Sequence, residues 1–157
     1  MIIDTSAVLA ILFQEADAPQ YAQVIAMAEV CRMSAANYLE AAINVDHRGD
    51  RAGSRQLDAF IERAQIHIEA VTFEQVHLAR QAYVDYGKGL HPAGLNFGDV
   101  FAYALSTSTG EPLLYRAGTL YRPILLLSPY HNPGGACEPR SGERHAGGRS
   151  RADLPEH

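Results

Sequence analysis

No apolar run in this chain approaches the ~20 residues that a membrane-spanning helix needs. The start lacks a basic segment ahead of its first apolar stretch. Neither a membrane span nor a signal peptide is expected, and the chain reads as cytoplasmic. Cysteine is scarce: Cys31 and Cys137 are the only two, too few for a disulfide framework. Cys31 sits in an apolar run, where it reads as a small core residue. Positive charge is not in excess. A formal net charge of −5 argues against a generally basic nucleic-acid binder, but not against a nucleic-acid enzyme whose acidic centre holds metal. No His/Cys cluster offers a zinc site, and there is no glycine-rich phosphate loop.

What is present begins at the first six residues. Met1, Ile2 and Ile3 run straight into Asp4, and Thr5 and Ser6 then open an apolar stretch, Ala7 to Phe13, of helical character. This reads as a short buried strand that ends in a carboxylate and passes at once into a helix. In open α/β sheets the ligand crevice lies beyond the carboxyl ends of the strands. Asp4 is therefore either a ligand-binding carboxylate or a helix N-cap.

Further along, a helix is expected over 16–28, with Pro19 in its first turn. A strand follows over 30–33, then Ser34 as N-cap and a helix over 35–48 stopped by Gly49. Its apolar side reads as Tyr38, Leu39, Ala42, Ile43 and Val45, with Glu40 beside it. The next helix spans 51–64, with Leu57, Phe60 and Ile61 inward. Arg48, Arg51, Arg55 and Arg63 form either a solvated face or a phosphate-contacting patch. Ile66, Ile68 and Ala70 alternate with His67 and Glu69 as an edge strand with one wet face. Thr72 and Gln75 resemble a capping box. Asn96 can cap the last helix, which runs to about Thr109, and Leu113 to Tyr115 is the next strand. The alternation of one strand with two helices predicts an α/β fold with a mainly parallel sheet.

Three carboxylates stand at related points. Asp4 ends the first strand, Glu40 lies in the helix after the second, and Asp99 begins the helix before the fourth. Local explanations exist for the latter two: a solvated helix charge for Glu40, and a favourable helix-dipole position for Asp99. In a parallel sheet, however, the three positions can converge at one edge. Carboxylates brought together repel one another unless a cation neutralises them. Hard oxygen ligands suit Mg²⁺ or Mn²⁺, and such a centre can activate water for phosphodiester cleavage.

Three segments carry a resemblance. They are Ile3-Asp4-Thr5-Ser6-Ala7, Ser34-Ala35-Ala36-Asn37-Tyr38-Leu39-Glu40, and Leu95-Asn96-Phe97-Gly98-Asp99 followed by Ala102-Tyr103-Ala104. In this order and spacing, residues 1–116 resemble PIN-domain ribonucleases and, within them, the VapC toxins of bacterial toxin–antitoxin pairs. The resemblance implies a PIN-like three-layer fold with a central sheet flanked by helices. It implies a metal-dependent endoribonuclease acting on structured RNA such as tRNA or rRNA, using Mg²⁺ or Mn²⁺. It also implies a homodimer and a VapB-like antitoxin whose peptide blocks the site. By matching position, Asp4, Glu40 and Asp99 are the catalytic, metal-holding acids, and Ser6 and Asn96 are supporting polar residues.

The chain departs from that family after Arg116. Relatives continue with Lys/Arg-Gly-Asp/Asn-Asp-Phe, whose acid completes the centre; here the residues are Arg116-Ala117-Gly118-Thr119-Leu120-Tyr121, with no Asp or Glu between Glu111 and Glu138. Residues 117–157 are expected to be an aberrant, disordered tail rich in Gly, Pro and Arg. Ile124 to Leu127 is apolar enough for a strand, but Pro123 and Pro129 restrict that reading. The last native strand and the fourth acid are thus expected to be missing or altered. We read the break as a frameshift. With codons GCG, GGG and ACG for Ala117 to Thr119, the alternative frame spells Gly-Asp. Such a chain is either an active nuclease or an impaired remnant that dimerises or binds an antitoxin without cleaving. A phospho-receiver domain also clusters acids at strand ends, but its phosphoacceptor Asp and its Lys are replaced here by Ala70-Val71 and Arg116-Ala117.

Overall fold

The first apolar residues form β1 (Ile2–Ile3), the middle of a five-stranded sheet in a computed structural model that describes residues 1–48, 51–116 and 125–127. In chain order there follow α1 (Thr5–Leu12), α2 (Ala18–Met27), β2 (Cys31–Ser34), α3 (Ala35–His47) and α4 (Arg51–Arg63). Then come β3 (Ile66–Glu69), α5 (Phe73–Tyr86), α6 (Phe97–Thr109), β4 (Leu113–Tyr115) and β5 (Leu125–Leu127). The strand order is β3-β2-β1-β4-β5; the first four are parallel and β5 pairs antiparallel with β4. This is the PIN-like α/β architecture that the alternation and the resemblance predict.

Successive residues of a strand face opposite sides, so Ile2 and Ile3 serve different layers. Ile3 joins Ala7, Val8, Tyr21, Met33 and Leu57 on the side of α1 to α4. Ile2 joins Ala102, Leu105 and Leu113 on the side of α6. A further apolar cluster, Ala79, Ala82, Val100 and Ala104, binds α5 to α6. Chain connection reverses direction around β1, because β2 lies on one side of it and β4 on the other. That is the switch point at which open α/β sheets place their ligands.

Helix starts fall where side chains can satisfy the orphan N–H groups of a first turn. Ser34 caps α3, Thr72 and Gln75 form a reciprocal box at α5, and Asn96 and Asp99 form another at α6. Gly110, at φ 71°, ends α6 in a left-handed conformation that glycine adopts without steric cost.

Two expectations need correction. The buried face of α3 is Asn37, Ala41 and Val45, whereas Leu39 and Ile43 are 59% and 58% exposed. Residues four apart share a helix face, and α3 meets its neighbours through this narrower stripe. In β3, Ile66 is buried but Ile68 is 40% exposed, and Ala70 lies beyond the strand end. The segment whose last native strand is expected to be missing or altered contributes a short β5, whose backbone pairs Leu113 with Leu127 and Tyr115 with Leu125. Pro123 and Pro129 lie outside that strand, and an edge position tolerates proline at its borders. Gly49, the frameshift region 117–124 and the tail 128–157 lie outside the described residues.

Candidate active site

Asp4 leaves the carboxyl end of β1 and caps α1, so both readings of its role remain chemically compatible. Its Oδ1 accepts from the Ser6 N–H at 2.8 Å and from the Ser6 hydroxyl at 2.5 Å. The Ser6 hydroxyl in turn accepts from the Arg116 N–H at 2.9 Å, which ties the end of β4 to the carboxylate. Asp4 is 3% exposed. Burial pushes its pKa up from 3.8 to about 6, against the lowering effect of the Ser6 hydrogen bonds and with added repulsion from Asp99 and Glu40. That repulsion puts Asp99 and Glu40 each within electrostatic reach of Asp4.

Glu40 lies in the second turn of α3, and its Oε2 accepts from the Thr5 hydroxyl at 2.6 Å. Gly98 packs directly on this carboxylate: a Cβ at position 98 would overlap Glu40 Cδ and both oxygens. Asp99 is the third residue of α6. Its Oδ2 accepts from the Asn96 N–H at 2.7 Å, while Asn96 Oδ1 accepts from the N–H groups of Gly98 and Asp99. Burial raises the Asp99 carboxyl above its ordinary value despite that backbone hydrogen bond. Asn96 thus supports the site through Asp99, and Ser6 supports it through Asp4.

Four further residues belong to this arrangement. Thr5 holds Glu40. Asn37, wholly buried, donates from Nδ2 toward Asp4 Oδ2 at 3.3 Å, Thr5 Oγ1 at 3.2 Å and the Gly98 carbonyl at 3.1 Å. Gly98 permits the close approach of α6 to Glu40. The Tyr115 phenol is pushed up first by burial and then by repulsion from Asp99 and Asp4, which marks it as their neighbour. Asn37 carried a legible signal: it lies three residues before Glu40, on the same side of α3. The Gly98 contact, between residues far apart in sequence, carried none.

Among the described residues no ion pair reaches Asp4, Glu40 or Asp99. Nor do three Asp, Glu, His or Cys side chains there form a ready-made ligand set. Glu40 and the first turn of α6 thus lie beside the end of β1 that carries Asp4, with Glu40 turned toward Thr5 and Asp99 engaged in its cap. The donor chemistry fits a hard divalent cation: oxygen ligands, and a buried carboxylate that lacks a compensating positive charge. Of the arginines considered as a phosphate patch, Arg48, at the far end of α3, lies 3.4 Å over the Phe13 ring; Arg116, outside that group, is held in ion pairs with Glu15 and Asp17. A hollow of about 450 Å³ beside β3, lined by Tyr38, Asp58, Ile61 and His67 among others, includes none of the three acids. Convergent charged chemistry, not concavity, locates the candidate site. Among the described residues no helix is long and apolar enough to cross a membrane.

Residues 1–121 match the family model of the PIN domain. A VapC ribonuclease of Mycobacterium bovis and ribonuclease VapC28 of Mycobacterium tuberculosis are each 53% identical over 117 residues, covering 74% of this chain and 88% of theirs. Ribonuclease VapC of Mycolicibacterium smegmatis is 47% identical over 116 residues, covering 74% of this chain and 90% of that protein. Among solved structures, M. tuberculosis VapC20, described as a sarcin-ricin loop cleaving toxin, matches with a TM-score of 0.58 at 17% identity, over 69% of this chain and 82% of that one. That likeness concerns the fold.

Proposed function

The chain belongs to the PIN-domain family and, within it, to the VapC ribonucleases, and from that premise we propose that it is a metal-dependent endoribonuclease, the toxin of a type II toxin–antitoxin pair. The observation that carries the reading is the buried, unpaired Asp4 at the switch point, repelled by Asp99 and Glu40. Asp4, Glu40 and Asp99 are the residues to hold Mg²⁺ or Mn²⁺. When bound, the cation supplies positive charge that activates water and stabilises cleavage of a phosphodiester. Ser6 fixes Asp4 by two hydrogen bonds, Thr5 fixes Glu40, and Asn96 fixes Asp99. The substrate class is structured RNA such as tRNA or rRNA. The partners are a VapB-like antitoxin and a second copy of the chain. The exposed apolar residues Leu39 and Ile43 on α3 support an interacting surface.

One observation favours a second reading, a PIN remnant that binds its antitoxin without cleaving: no Asp or Glu stands between Glu111 and Glu138 to supply a fourth acid. Incubation of total RNA with the chain and Mn²⁺, beside Asp4→Ala, separates the two. Cleavage abolished by Asp4→Ala supports the nuclease. No cleavage together with capture of the antitoxin supports the remnant. Cleavage that Asp4→Ala leaves intact removes the site from the chemistry.

A further inference from the structure

The strongest unassigned feature is the Asn37 amide. Its side chain is wholly buried inside α3, and Oδ1 has no hydrogen-bond partner. Nδ2 carries two hydrogens and faces three acceptors: Asp4 Oδ2, Thr5 Oγ1 and the Gly98 carbonyl. This surrounding settles which end of the amide points inward, since the reverse orientation would set Oδ1 against a carboxylate and a carbonyl. The Thr5 hydroxyl has one proton, directed to Glu40 at 2.6 Å rather than to the Asn37 carbonyl at 3.1 Å. Thr5 therefore receives from Asn37 and gives to Glu40. One neutral group touches Asp4 directly, Glu40 through Thr5, and the first turn of α6, which carries Asp99, through Gly98.

We propose that Asn37 is the positioning residue of this site: its amide fixes the orientation of the Asp4 carboxyl and holds α6 against it, so that the acids bind a cation together. The inference rests on the metal-centre reading above. Outer partners of ligating carboxylates orient the ligands, and their removal typically lowers metal affinity by about 10–100-fold. An aspartate at 37 would add a negative charge among three, and an alanine would leave Asp4 Oδ2 without this donor. An amide supplies the donor without charge.

The test is calorimetric titration of Mn²⁺ into the full chain at neutral pH, independent of RNA cleavage, for wild type, Asn37→Ala, Asn37→Ser and Asp4→Asn, with thermal melts in chelator alongside. Asn37→Ala is expected to raise the Mn²⁺ Kd by about 10–100-fold. Asn37→Ser, which keeps one donor, is expected to lose less. Wild-type Mn²⁺ affinity in Asn37→Ala, even with a lowered melting temperature, overturns the proposal and leaves Asn37 a packing role. Should the alanine variant fail to fold, the serine variant decides: weakened Mn²⁺ binding supports the proposal and unchanged binding refutes it. Equal Mn²⁺ binding by wild type and Asp4→Asn is a different result, which sinks the metal centre and this inference with it.

Discussion

Replacing Asp4 by Asn should make the metal-free protein more stable while removing its capacity for the proposed chemistry. Burial, with help from Asp99 and Glu40, lifts the Asp4 carboxyl from 3.8 to about 6. A shift of about two units, at 1.36 kcal/mol each, corresponds to roughly 3 kcal/mol. The folded value lies above the unfolded one, so the contribution is fully present below about pH 4 and is lost as pH rises through about 6. Asparagine is neutral throughout and keeps an oxygen to accept from Ser6. Its amide nitrogen would, however, face the Nδ2 of Asn37, which now donates to Asp4 Oδ2. Losing that hydrogen bond offsets about 1 kcal/mol. The net gain at pH 7.5 is therefore about 2 kcal/mol, or roughly 4–8 °C in Tm. The assay is thermal unfolding of both proteins in chelator from pH 4.5 to 7.5, repeated with excess Mn²⁺. The advantage of Asp4→Asn should grow with pH in chelator. It should shrink or reverse with Mn²⁺, because a ligand stabilises only the protein that binds it. A Tm difference independent of pH, or a variant less stable than wild type at pH 7.5 without metal, would refute the reasoning.

Other consequences follow from the same geometry. Gly98→Ala would ordinarily favour a helix, but its Cβ collides with the Glu40 carboxylate. That carboxylate is the end of a flexible side chain and can swing aside. Losing its Thr5 hydrogen bond, about 1 kcal/mol, is then roughly offset by the helix preference of alanine. Denaturant unfolding should change little while Mn²⁺ binding weakens in the same titration. Thr72→Ala removes one half of the α5 capping box and should cost about 0.5–2 kcal/mol while leaving Mn²⁺ affinity unchanged, a control for stability effects alone. Sequencing the gene across codons 117–119 tests the frameshift: an alternative frame that reads Gly-Asp supports it, and any other reading removes it.

Much of this fold is legible in the chain because its signals are local. Strand–helix–helix alternation follows from apolar periodicity, and Ser34, Thr72 and Asn96 mark helix starts through side chains that bond backbone groups two or three residues on. Asp4, Glu40 and Asp99 stand out as candidates because such positions can converge at one edge of a parallel sheet and because the segments that hold them resemble those of PIN-domain ribonucleases. What escaped was set by tertiary packing. Leu39 and Ile43 look inward by composition, yet the neighbours packed on α3 cover the Asn37–Ala41–Val45 stripe instead: Ala41 joins the cluster of α1 to α4, and Val45 meets Gly53 of α4. Asn37 can be placed beside Glu40 by its spacing, but not beside a carbonyl 61 positions away, which only the packing of α6 brings to it. Ile124 to Leu127 is apolar enough for a strand, but Pro123 and Pro129 restrict that reading; pairing with β4 defines β5 over Leu125–Leu127.

The shortness of β1 has a bearing on how the protein tolerates change. Two rungs, Ile2 and Ile3, hand the chain to Asp4, and each is anchored in a different hydrophobic layer. No length of strand remains in which a disturbance could relax before reaching the acid. Loosened packing around Tyr21 or Met33 on one side, or around Leu105 on the other, would therefore be felt as altered carboxylate placement. A random screen for inactive variants should return lesions scattered through both layers, many of them distant from any charged group.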